Sequence, residues 1–397
     1  MKLLLVTHIF PPAIDGGSKI LWNLSQYLSK NNDILVITSN CHSTDDFVNP
    51  RSTIPKYKDN NTQNYQIIRL PVYKNITRPL KLLNLLFHSS SLNILTKGPV
   101  FKFIPFLATL IIIKKYQPDL IITGPFPTAC NLYSQVFKKL FSAKMLSAPC
   151  FHANDNFFHA KPLINTLHSA DYIWALSRFE KNYLNNNFNV HPNKILALGA
   201  GIENDLLIKP TNINFPETPH LLFIGSLAAH KNIIDLISAF RLLYKKFPQA
   251  KLTIAGKKTL YYPIIEKYIK KLPQNIQRQI IFAFNFKNDN LKKLIDKSSV
   301  LVLPSREESF GLVLIESWAR GKPVITSDIP TLKELVKKTR GGITFELGSA
   351  DCLAKAIDSL FTNPKLSRSL GLNGFIYVKN NLTWDRITKS LWSKVSR

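Results

Sequence analysis

The sequence predicts an α/β protein with two domains, each built on a parallel β-sheet. Short apolar runs alternate with amphipathic helical stretches from one end of the chain to the other, which is typical of parallel strands joined by crossover helices. A chain of 397 residues is too long for one hydrophobic core, and 45% hydrophobic residues suffice for two. We therefore expect two Rossmann-like domains that face each other across a cleft.

Six strands are predicted in each half of the chain. In the first half they lie at residues 2–7, 34–38, 67–70, 120–123, 144–148 and 172–176. In the second half they lie at residues 221–224, 251–255, 280–283, 300–303, 324–326 and 343–345. Gly, Asn and Pro interrupt any long periodic pattern between residues 200 and 219, which predicts that the interdomain hinge lies there.

The predicted domains are therefore residues 1–200 and residues 201–380. The remaining residues, 381–397, are expected to form a helix that packs back toward the N-terminal domain. This expectation rests on apolar residues that recur at helical spacing: Trp384, Ile387, Leu391 and Val395.

The composition bounds the class of protein. Cys41, Cys130, Cys150 and Cys352 show no paired spacing and no C-x-x-C motif, so we expect neither a disulfide framework nor a cysteine metal site, and the cytoplasm as location. The net charge is +27, with 21 Lys and Arg against 9 Asp and Glu in the first 200 residues and 31 against 16 in the rest. A basic excess of +12 and +15 in the two halves argues against a dedicated nucleic-acid-binding region.

Contact with a membrane surface is compatible with this charge. The apolar start of the chain reads as a strand and not as a signal peptide, because Pro11, Pro12 and Asp15 follow it at once. Residues 103–113 are apolar but too short to span a bilayer, so no transmembrane segment is predicted. We expect a cytoplasmic protein that can attach peripherally to the anionic inner face of a membrane; the alternative for residues 80–113 is an ordinary amphipathic helix.

Gly16 and Gly17 form the first candidate binding element. They follow the first predicted strand and open a helix, whose N-terminus offers unpaired N–H groups, and glycine lets a phosphate or a sugar approach the backbone closely. The alternative is an ordinary tight turn between a strand and a helix.

The stretch PSREESFGLVLIESWARGKPVITS contains the most specific signal. Glu308 lies in a loop that leaves an apolar strand, and Glu316 lies within the helix that starts near Leu312. Phe310, Gly311 and Leu312 supply backbone N–H groups at the helix start, which suit a diphosphate, and Glu316 is placed to reach ribose hydroxyls. The alternative is that both glutamates are ordinary carboxylates near a helix N-terminus.

A second signal in this half is HLLFIGSLAAHKNIIDLISAF. A strand ends at Gly225, and the following loop carries His230 and Lys231 ahead of a helix. A lysine in this place can pair with phosphate as a point charge, whereas the dipole of the helix would not favour it without an anion.

Together these motifs resemble family 4 of the retaining glycosyltransferases with the GT-B fold, within glycosyl transferases group 1. The glycine loop, G-x-L-x-x-x-K-[GN] and E-x7-E with F-G-L occur in the family's order across nearly the whole chain. The segments WALSRFEKNYL and LALGAGIEND resemble the family's serine turn and its hinge segment.

The resemblance implies a role for each matching residue. Gly16 and Gly17 would approach the donor or acceptor, Lys231 the diphosphate and Glu308 the transferred sugar. Glu316 would bind the ribose, and His152, in LSAPCFHAND at the end of a predicted strand, would lie near the donor sugar; without the resemblance, His152 reads as a structural residue. The expected catalytic residues are His152, Lys231 and Glu308, and the expected donor-binding set is Gly16, Gly17, Gly225, Ser226, His230, Lys231, Arg306, Glu308, Ser309, Phe310, Gly311, Leu312 and Glu316.

One departure from the family pattern concerns the donor site. The family often has Arg where this chain has Ser226, so that His230 or Arg306 would have to supply the charge, or the site is weakened. We expect a retaining hexosyltransferase that uses a UDP- or GDP-sugar as substrate, without metal or other cofactor, and a glycan or lipid-linked acceptor of polysaccharide or lipopolysaccharide synthesis. The alternatives are a nucleotide-sugar epimerase and a catalytically weakened nucleotide-sugar-binding protein. Acceptor recognition is expected within residues 40–65 and 74–100.

Overall fold

The computed structural model describes two compact units. Unit 1 comprises Met1–Gly199 together with Trp384–Arg397, and unit 2 comprises Ala200–Thr383. The residues that the structure describes are 1–13, 15–47, 54, 65–73, 99–209, 211, 213–284 and 288–396. Most of residues 40–65 and 74–100, where acceptor recognition is predicted, lie outside this set.

Unit 1 is built on a parallel sheet of seven strands in the order β3-β2-β1-β4-β5-β6-β7. The strands are β1 (Lys2–Thr7), β2 (Asp33–Ser39), β3 (Tyr65–Leu70), β4 (Leu120–Gly124), β5 (Lys144–Ser147), β6 (Tyr172–Ala175) and β7 (Ile195–Ala197). The helices in its N-terminal part are α1 (Gly16–Leu28), α2 (Phe103–Tyr116), α3 (Ala129–Phe141), α4 (Lys161–Ser169) and α5 (Arg178–Phe188). Short 3-10 turns lie at Thr44–Phe47 and Pro192–Lys194.

Unit 2 is built on a second parallel sheet, with the strand order β10-β9-β8-β11-β12-β13. Its strands are β8 (His220–Ile224), β9 (Lys251–Gly256), β10 (Ile280–Phe284), β11 (Val300–Leu303), β12 (Val324–Ser327) and β13 (Gly342–Phe345). Its helices are α6 (Ile233–Leu243), α7 (Tyr262–Ile269), α8 (Gln274–Gln277), α9 (Asn288–Asp296), α10 (Leu312–Ala319), α11 (Pro330–Thr339), α12 (Ala350–Thr362) and α13 (Pro364–Asn381). Further 3-10 turns lie at Asn204–Leu206 and Ala229–Lys231.

The centre of each sheet is covered on both faces, which explains the composition of its strands. In β1 the side chains of Leu3, Leu4, Leu5 and Val6 are buried, and Leu4 lies in register with Leu35 on one side and Ile121 on the other. A strand buried on both faces needs continuous apolar residues and not alternation, which is why short apolar runs marked the strands in the sequence.

The chain reverses its winding direction once in each sheet. In unit 1 the reversal lies between β1 and β4, and in unit 2 it lies between β8 and β11. Crossover helices leave the sheet on opposite faces at such a point, so a crevice opens beyond the carboxyl ends of the two strands. The predicted glycine loop follows β1, Gly225 follows β8 and Glu308 follows β11.

The last helix, α14 (Trp384–Val395), belongs to unit 1. The buried Trp384 ring meets the Trp174 ring edge to face at 6.1 Å between centroids and lies 6.2 Å from the Tyr27 ring. Its remaining apolar residues at helical spacing, Ile387, Leu391 and Val395, are buried as well.

The segment predicted as the hinge packs onto unit 2. The Ile202 N–H donates to the Leu382 carbonyl at 2.7 Å, and the Ile208 N–H donates to the Ala319 carbonyl at 3.0 Å. The chain passes between the units at residues 199–200 and 383–384, so residues 200–219 are mostly part of the unit 2 surface.

All twelve predicted strands are present, with small errors at their ends. The strand predicted at 144–148 ends at Ser147, and the one predicted at 172–176 ends at Ala175. The prediction missed β7, because its three residues, Ile195–Ala197, are too few to show a pattern. Across the described part of the chain, no helix combines the length and the apolar character that crossing a membrane requires.

Candidate functional site

Lys231 and Glu308 form a direct ion pair in unit 2. Lys231 ends the 3-10 turn after β8, and Glu308 lies in the loop after β11, at the two strands between which the sheet reverses. The Lys231 Nζ lies 2.5 Å from the Glu308 Oε1, and the two side chains are only 14% and 12% exposed. The Ser305 hydroxyl donates to the same oxygen at 2.8 Å. Two residues separated by 77 positions in the sequence therefore share one partly buried polar site.

Backbone and side-chain hydrogen bonds tie the two loops together around this pair. The Arg306 N–H donates to the His230 carbonyl at 2.8 Å, and the Arg306 guanidinium donates to the Asn232 Oδ1 at 3.2 Å. Asn232 has φ 54°, a left-handed conformation that Asn tolerates better than most residues, and it links the 3-10 turn to α6. His230 and Arg306, both predicted to compensate for Ser226, thus lie beside the Lys231–Glu308 pair.

Gly311 sets the start of α10 next to this pair. Its φ is +86°, and an added Cβ would lie 2.9 Å from the Leu332 Cδ2, so both conformation and space require glycine. Because α10 begins at Leu312, the N–H groups of Leu312 and Val313 have no carbonyl partner within the helix, whereas the Leu314 N–H donates to the Gly311 carbonyl at 2.9 Å. Phe310 is only 4% exposed and Gly311 is buried as well, so Phe310 anchors the loop ahead of α10.

Ser309 and Glu316 complete the predicted acidic element. Ser309 lies half-buried in the loop between Glu308 and Phe310. Glu316 lies in the second turn of α10 and is 8% exposed, so its carboxylate is more deeply buried than the sequence indicated.

Gly225 packs against a glycine that the sequence analysis did not single out. The Gly225 N–H donates to the Ala255 carbonyl at 3.0 Å, and Gly256, at the end of β9, has φ +147°. A Cβ at residue 256 would lie 1.8 Å from the Gly225 carbonyl oxygen, so any side chain there would displace the loop that carries Ser226. In the sequence, LLFI and LTIA are each followed by glycine, but nothing local indicates that these two glycines contact each other.

Gly16 and Gly17 have different environments in unit 1. A Cβ at residue 17 would lie 2.6 Å from the Pro125 Cγ, in the loop after β4, whereas a Cβ at residue 16 would meet nothing within 4 Å. The close approach of Pro125 therefore explains why residue 17 is a glycine. Neither packing nor a positive φ requires glycine at residue 16.

His8 and Asp15 hold the glycine loop and were missed in the sequence. The His8 Nε2 lies 2.7 Å from the Asp15 Oδ2, with the His8 side chain 3% and the Asp15 side chain 37% exposed. Asp15 also caps α1, since its Oδ1 accepts from the Ser18 N–H at 2.7 Å while the Ser18 hydroxyl accepts from the Asp15 N–H at 2.9 Å. Burial alone would raise the pKa of Asp15, but the charge and hydrogen bond of His8 and the bonds from Ser18 hold this pKa well below its usual range.

His152 lies in the loop beyond β5, five residues after Ser147. Its ring lies 5.1 Å from the Phe158 ring between centroids. The residue before it, Phe151, donates its N–H to the Glu180 Oε1 at 2.9 Å, and the Leu176 N–H donates to the Glu180 Oε2 at 2.6 Å. Glu180 therefore ties the His152 loop to the end of β6.

Glu180 is a buried acid that the sequence analysis also missed. Burial raises its pKa to about 7, although the two backbone N–H groups and the charge of His152 act in the opposite direction. Its signal in the sequence is the S-x-x-E pattern at the start of α5, where the Ser177 hydroxyl accepts from the Glu180 N–H at 2.9 Å. Instead of capping the start of α5, the Glu180 carboxylate accepts from the N–H groups of Phe151 and Leu176.

The site residues fall into two groups, one in each unit. Unit 2 brings together Lys231, Glu308, His230, Arg306 and the start of α10, whereas Gly16, Gly17 and His152 belong to unit 1. Within the described ranges, no group of three or more His, Cys, Asp and Glu side chains is arranged to hold a metal ion.

Comparison with known proteins identifies the C-terminal domain. Residues 207–375 match the family model described as Glycosyl transferases group 1, and this range contains Lys231, Glu308 and Glu316. The C-terminal domain belongs to glycosyl transferases group 1. The family predicted from the motifs is thus confirmed, while the finer assignment to family 4 stays a prediction.

Relatives and solved structures agree with this glycosyl transferase domain. The uncharacterized glycosyltransferase MJ1178 of Methanocaldococcus jannaschii is 29% identical over 219 residues, which cover 55% of this chain and 57% of that protein. The chain thus spans little more than half the length of that curated relative.

Sucrose-phosphate synthase from Thermosynechococcus elongatus superposes with a TM-score of 0.75 at 19% identity and covers 99% of this chain and 97% of its own. HepE of Anabaena, solved in complex with UDP-glucose, gives a TM-score of 0.75 at 15% identity and covers 100% of this chain and 99% of its own. At such identities the likeness concerns the fold, and it confirms the predicted class of two Rossmann-like domains, the GT-B fold.

Proposed function

We propose that this chain is a retaining, metal-independent glycosyltransferase that transfers a hexose from a nucleotide diphosphate sugar to a hydroxyl of a glycan or lipid-linked acceptor. The observation that carries the proposal is the contact between Lys231 and Glu308 beside the start of α10. A cation, a helix N-terminus and a carboxylate close together match the diphosphate and the sugar of such a donor.

Lys231 and the start of α10 stabilise the leaving group in this proposal. When the bond between the anomeric carbon and the diphosphate breaks, negative charge grows on the departing oxygen. An ammonium group has three N–H donors, and the first turn of α10 adds backbone N–H groups, so both can bind diphosphate oxygens. The 14% exposure of Lys231 strengthens its attraction, since less water screens it. No metal ion is required for this step.

Glu308 binds hydroxyls of the transferred hexose. Lys231 and Ser305 both contact its Oε1, which fixes the orientation of the carboxylate. We assign it no covalent role: the acceptor oxygen takes the place of the diphosphate oxygen at the anomeric carbon, and the acceptor proton is released with the nucleoside diphosphate. In unit 1, His152, held through Phe151 by Glu180, and Gly16 are proposed to bind substrate.

UDP is the first nucleotide to test. The structural neighbour HepE was solved with UDP-glucose, and GDP, which the family resemblance also allows, is the alternative. The acceptor is proposed to be a precursor of a polysaccharide or lipopolysaccharide, bound by unit 1.

A donor panel tests the proposal directly. The full chain is incubated with UDP-glucose, UDP-galactose, UDP-N-acetylglucosamine and GDP-mannose, with and without acceptor glycans and with EDTA, and release of nucleoside diphosphate is measured. We expect acceptor-dependent release that EDTA leaves unchanged and a product with the anomeric configuration of the donor by NMR. Conversion of the donor to an isomer without acceptor would instead identify an epimerase, and loss of turnover with EDTA would contradict metal independence.

Ser226 favours a second candidate, a nucleotide-sugar-binding protein with weakened catalysis. It stands where the resembling family often has Arg, so one charge next to the diphosphate is missing unless Arg306, which contacts Asn232, supplies it. This candidate predicts UDP binding without turnover with any donor, and it predicts that Ser226→Arg raises donor affinity. If Arg306 supplies the charge, Arg306→Ala lowers affinity and Ser226→Arg restores it.

A further inference from the structure

A cavity of about 250 Å³ lies in unit 1, between the end of α1 and the last helix, α14. The last turn of α1 and the turn that follows it form one wall, and α14 forms the other. Pockets for drug-sized ligands measure about 300–1,000 Å³. A cavity slightly below this range suits one small ring and not an extended ligand. We call it the α1–α14 cavity.

The α1–α14 cavity is separate from the candidate active site. Neither Lys231 nor Glu308 lines it. Helix α1 begins at Gly16 and has 13 residues, which rise about 20 Å from the glycine loop to the end that borders the cavity. A ligand in this cavity would therefore be bound without reacting there.

Aromatic side chains lie on both walls of the cavity. On the α1 wall, the Tyr27 ring lies 6.2 Å from the buried Trp384 ring between centroids, and the Lys30 Nζ lies 4.7 Å from the Tyr27 ring centroid. These contacts hold Tyr27 in place. On the α14 wall, Trp392 is half-buried, so that part of its ring surface is left open beside the cavity. An indole placed in this way offers a large apolar face to a ligand.

Polar groups surround the same space. Four of the lining side chains carry an amide or a charge: Asn31, Asn32, Asp385 and Lys389. An amide both donates and accepts, a carboxylate accepts and an ammonium group donates. Thr388 also lines the cavity, and its buried hydroxyl has no hydrogen-bond partner among the residues that the structure describes. The α1–α14 cavity thus combines an aromatic face with donors and acceptors.

We propose that the α1–α14 cavity binds one pyranose ring of a glycan, with a C–H face of the sugar against Trp392 and its hydroxyls bonded to the polar side chains around it. The C–H groups of a pyranose carry partial positive charge, which the negative face of an aromatic ring attracts. A purely apolar ligand would leave the amides of Asn31 and Asn32 unpaired, and a phosphate-rich ligand would meet the carboxylate of Asp385. A sugar ring has both the apolar face and the hydroxyls.

This inference deepens the proposed function and rests on it in one respect, that the glycan is the acceptor. An acceptor held by one sugar unit in the α1–α14 cavity stays attached to the enzyme, which raises the effective concentration of its reactive end. Binding of the sugar itself requires neither donor nor turnover, so the two proposals can fail separately.

Saturation-transfer NMR titrations of the full chain test the inference. The chain is titrated without nucleotide with maltotriose, cellotriose, chitotriose and trigalacturonic acid, which present neutral, N-acetylated and acidic rings. We expect at least one of them to bind and sorbitol, which has hydroxyls but no ring, not to bind. Trp392→Ala should weaken binding at least about tenfold, because the aromatic contact is lost.

A second variant and a matched control guard against loss of the fold. Asn31→Ala/Lys389→Ala changes two exposed side chains, so it should unfold at the wild-type temperature and weaken binding about threefold or more. Trp22→Ala removes the other half-buried indole of unit 1, which lies on α1 but does not line the cavity, and should bind as the wild type does.

Three outcomes would overturn the inference. None of the four oligosaccharides binds, Trp22→Ala loses as much affinity as Trp392→Ala, or folded Asn31→Ala/Lys389→Ala binds as tightly as the wild type. Lys231→Ala separates this inference from the proposed function, since it should keep oligosaccharide binding while transfer is lost. Oligosaccharide binding by a wild type that turns over no donor would contradict the proposed function and leave the sugar site standing.

Discussion

The two units organise their candidate site residues differently. In unit 2 the predicted residues contact one another, because Lys231 pairs with Glu308 and the Arg306 N–H donates to the His230 carbonyl. In unit 1 the predicted residues are held by residues that the sequence did not mark: Asp15 and His8 hold the glycine loop, and Glu180 holds the loop of His152. Residues that belong to one motif pattern and contact each other can be predicted from the sequence, whereas the acids that support the loops of unit 1 lie outside such patterns.

The largest expected effect concerns the unit 2 pair. Lys231→Ala and Glu308→Ala should each lower turnover at least about a hundredfold, because each removes a charged group from the reacting part of the donor. Lys337→Ala, at an exposed lysine of α11, is the matched control and should leave turnover unchanged. The measurement is nucleoside diphosphate release under saturating donor.

Breaking the pair should also cost stability, since the remaining charge stays largely buried. Circular dichroism at the assay temperature is needed to show that each variant is folded. Wild-type turnover in either folded variant would show that the contacting residues of unit 2 are not the catalytic ones.

The next largest effect concerns Glu180, which ties the His152 loop to the end of β6 in unit 1. Glu180→Gln keeps the size of the side chain but cannot accept from both the Phe151 and Leu176 N–H groups, so unfolding free energy should fall by about 1–3 kcal/mol. The pKa of Glu180 is raised to about 7 by burial, so its stabilising contribution is present below the ordinary pKa of 4.5 and is lost as pH rises through about 7.

The destabilisation by Glu180→Gln should therefore be larger at about pH 5 than at about pH 8, as measured by urea unfolding. A difference that does not change with pH would contradict the assignment of Glu180 as a buried, titrating support.

Gly16 and Gly17 are neighbours with different environments, so the same substitution should have different effects at the two positions. Gly17→Ala should lower unfolding free energy by about 1–3 kcal/mol, because the new Cβ clashes with the Pro125 ring. Gly16→Ala has room and replaces the first residue of α1, so it should leave stability unchanged or raise it by up to about 1 kcal/mol. Thermal unfolding measures both.

If Gly16 admits a ligand to the backbone, Gly16→Ala should raise KM for donor or acceptor while the protein stays folded. An unchanged KM in this variant would leave the loop with a structural role only.

The smallest effect concerns Asp15. Its pKa is held below the usual range, so its stabilising contribution is present above the ordinary pKa of 3.8 and is lost as pH falls below it. Asp15→Asn keeps a cap for α1 but loses the charge opposite His8, and should cost about 1 kcal/mol at neutral pH. The difference between the variant and the wild type in urea unfolding should shrink as pH falls below 3.8 and should vanish only below the lowered pKa of Asp15. Equal stability of the two at neutral pH would contradict the pairing.

Much of the fold could be predicted from the sequence because its signals are local. Apolar runs marked twelve strands, and two separate local motifs, one with Lys231 and one with Glu308 and Gly311, predicted the residues that meet in unit 2. The strand β7 was missed because it has only three residues. Gly256 was missed because its requirement for glycine comes from the Gly225 carbonyl on a neighbouring strand, which only the folded sheet brings close.

The supporting residues of unit 1 escaped prediction for a related reason. The Glu180 carboxylate binds the Phe151 N–H across 29 positions, and nothing in the local sequence indicates that its side chain leaves the helix start for this contact. His8 reads as one more residue at a strand end until the loop folds back and brings Asp15 within 2.7 Å. Roles in binding substrate, for every candidate residue, stay predictions.

Calorimetric titration with UDP tests the central claim most directly. The wild type, Lys231→Ala and the control Lys337→Ala are titrated with UDP as purified full chains. The account predicts that the wild type and the control bind UDP with equal affinity and that Lys231→Ala binds at least about tenfold more weakly, since a charge-assisted contact is lost. UDP binding of equal strength in all three proteins would contradict a diphosphate site at Lys231.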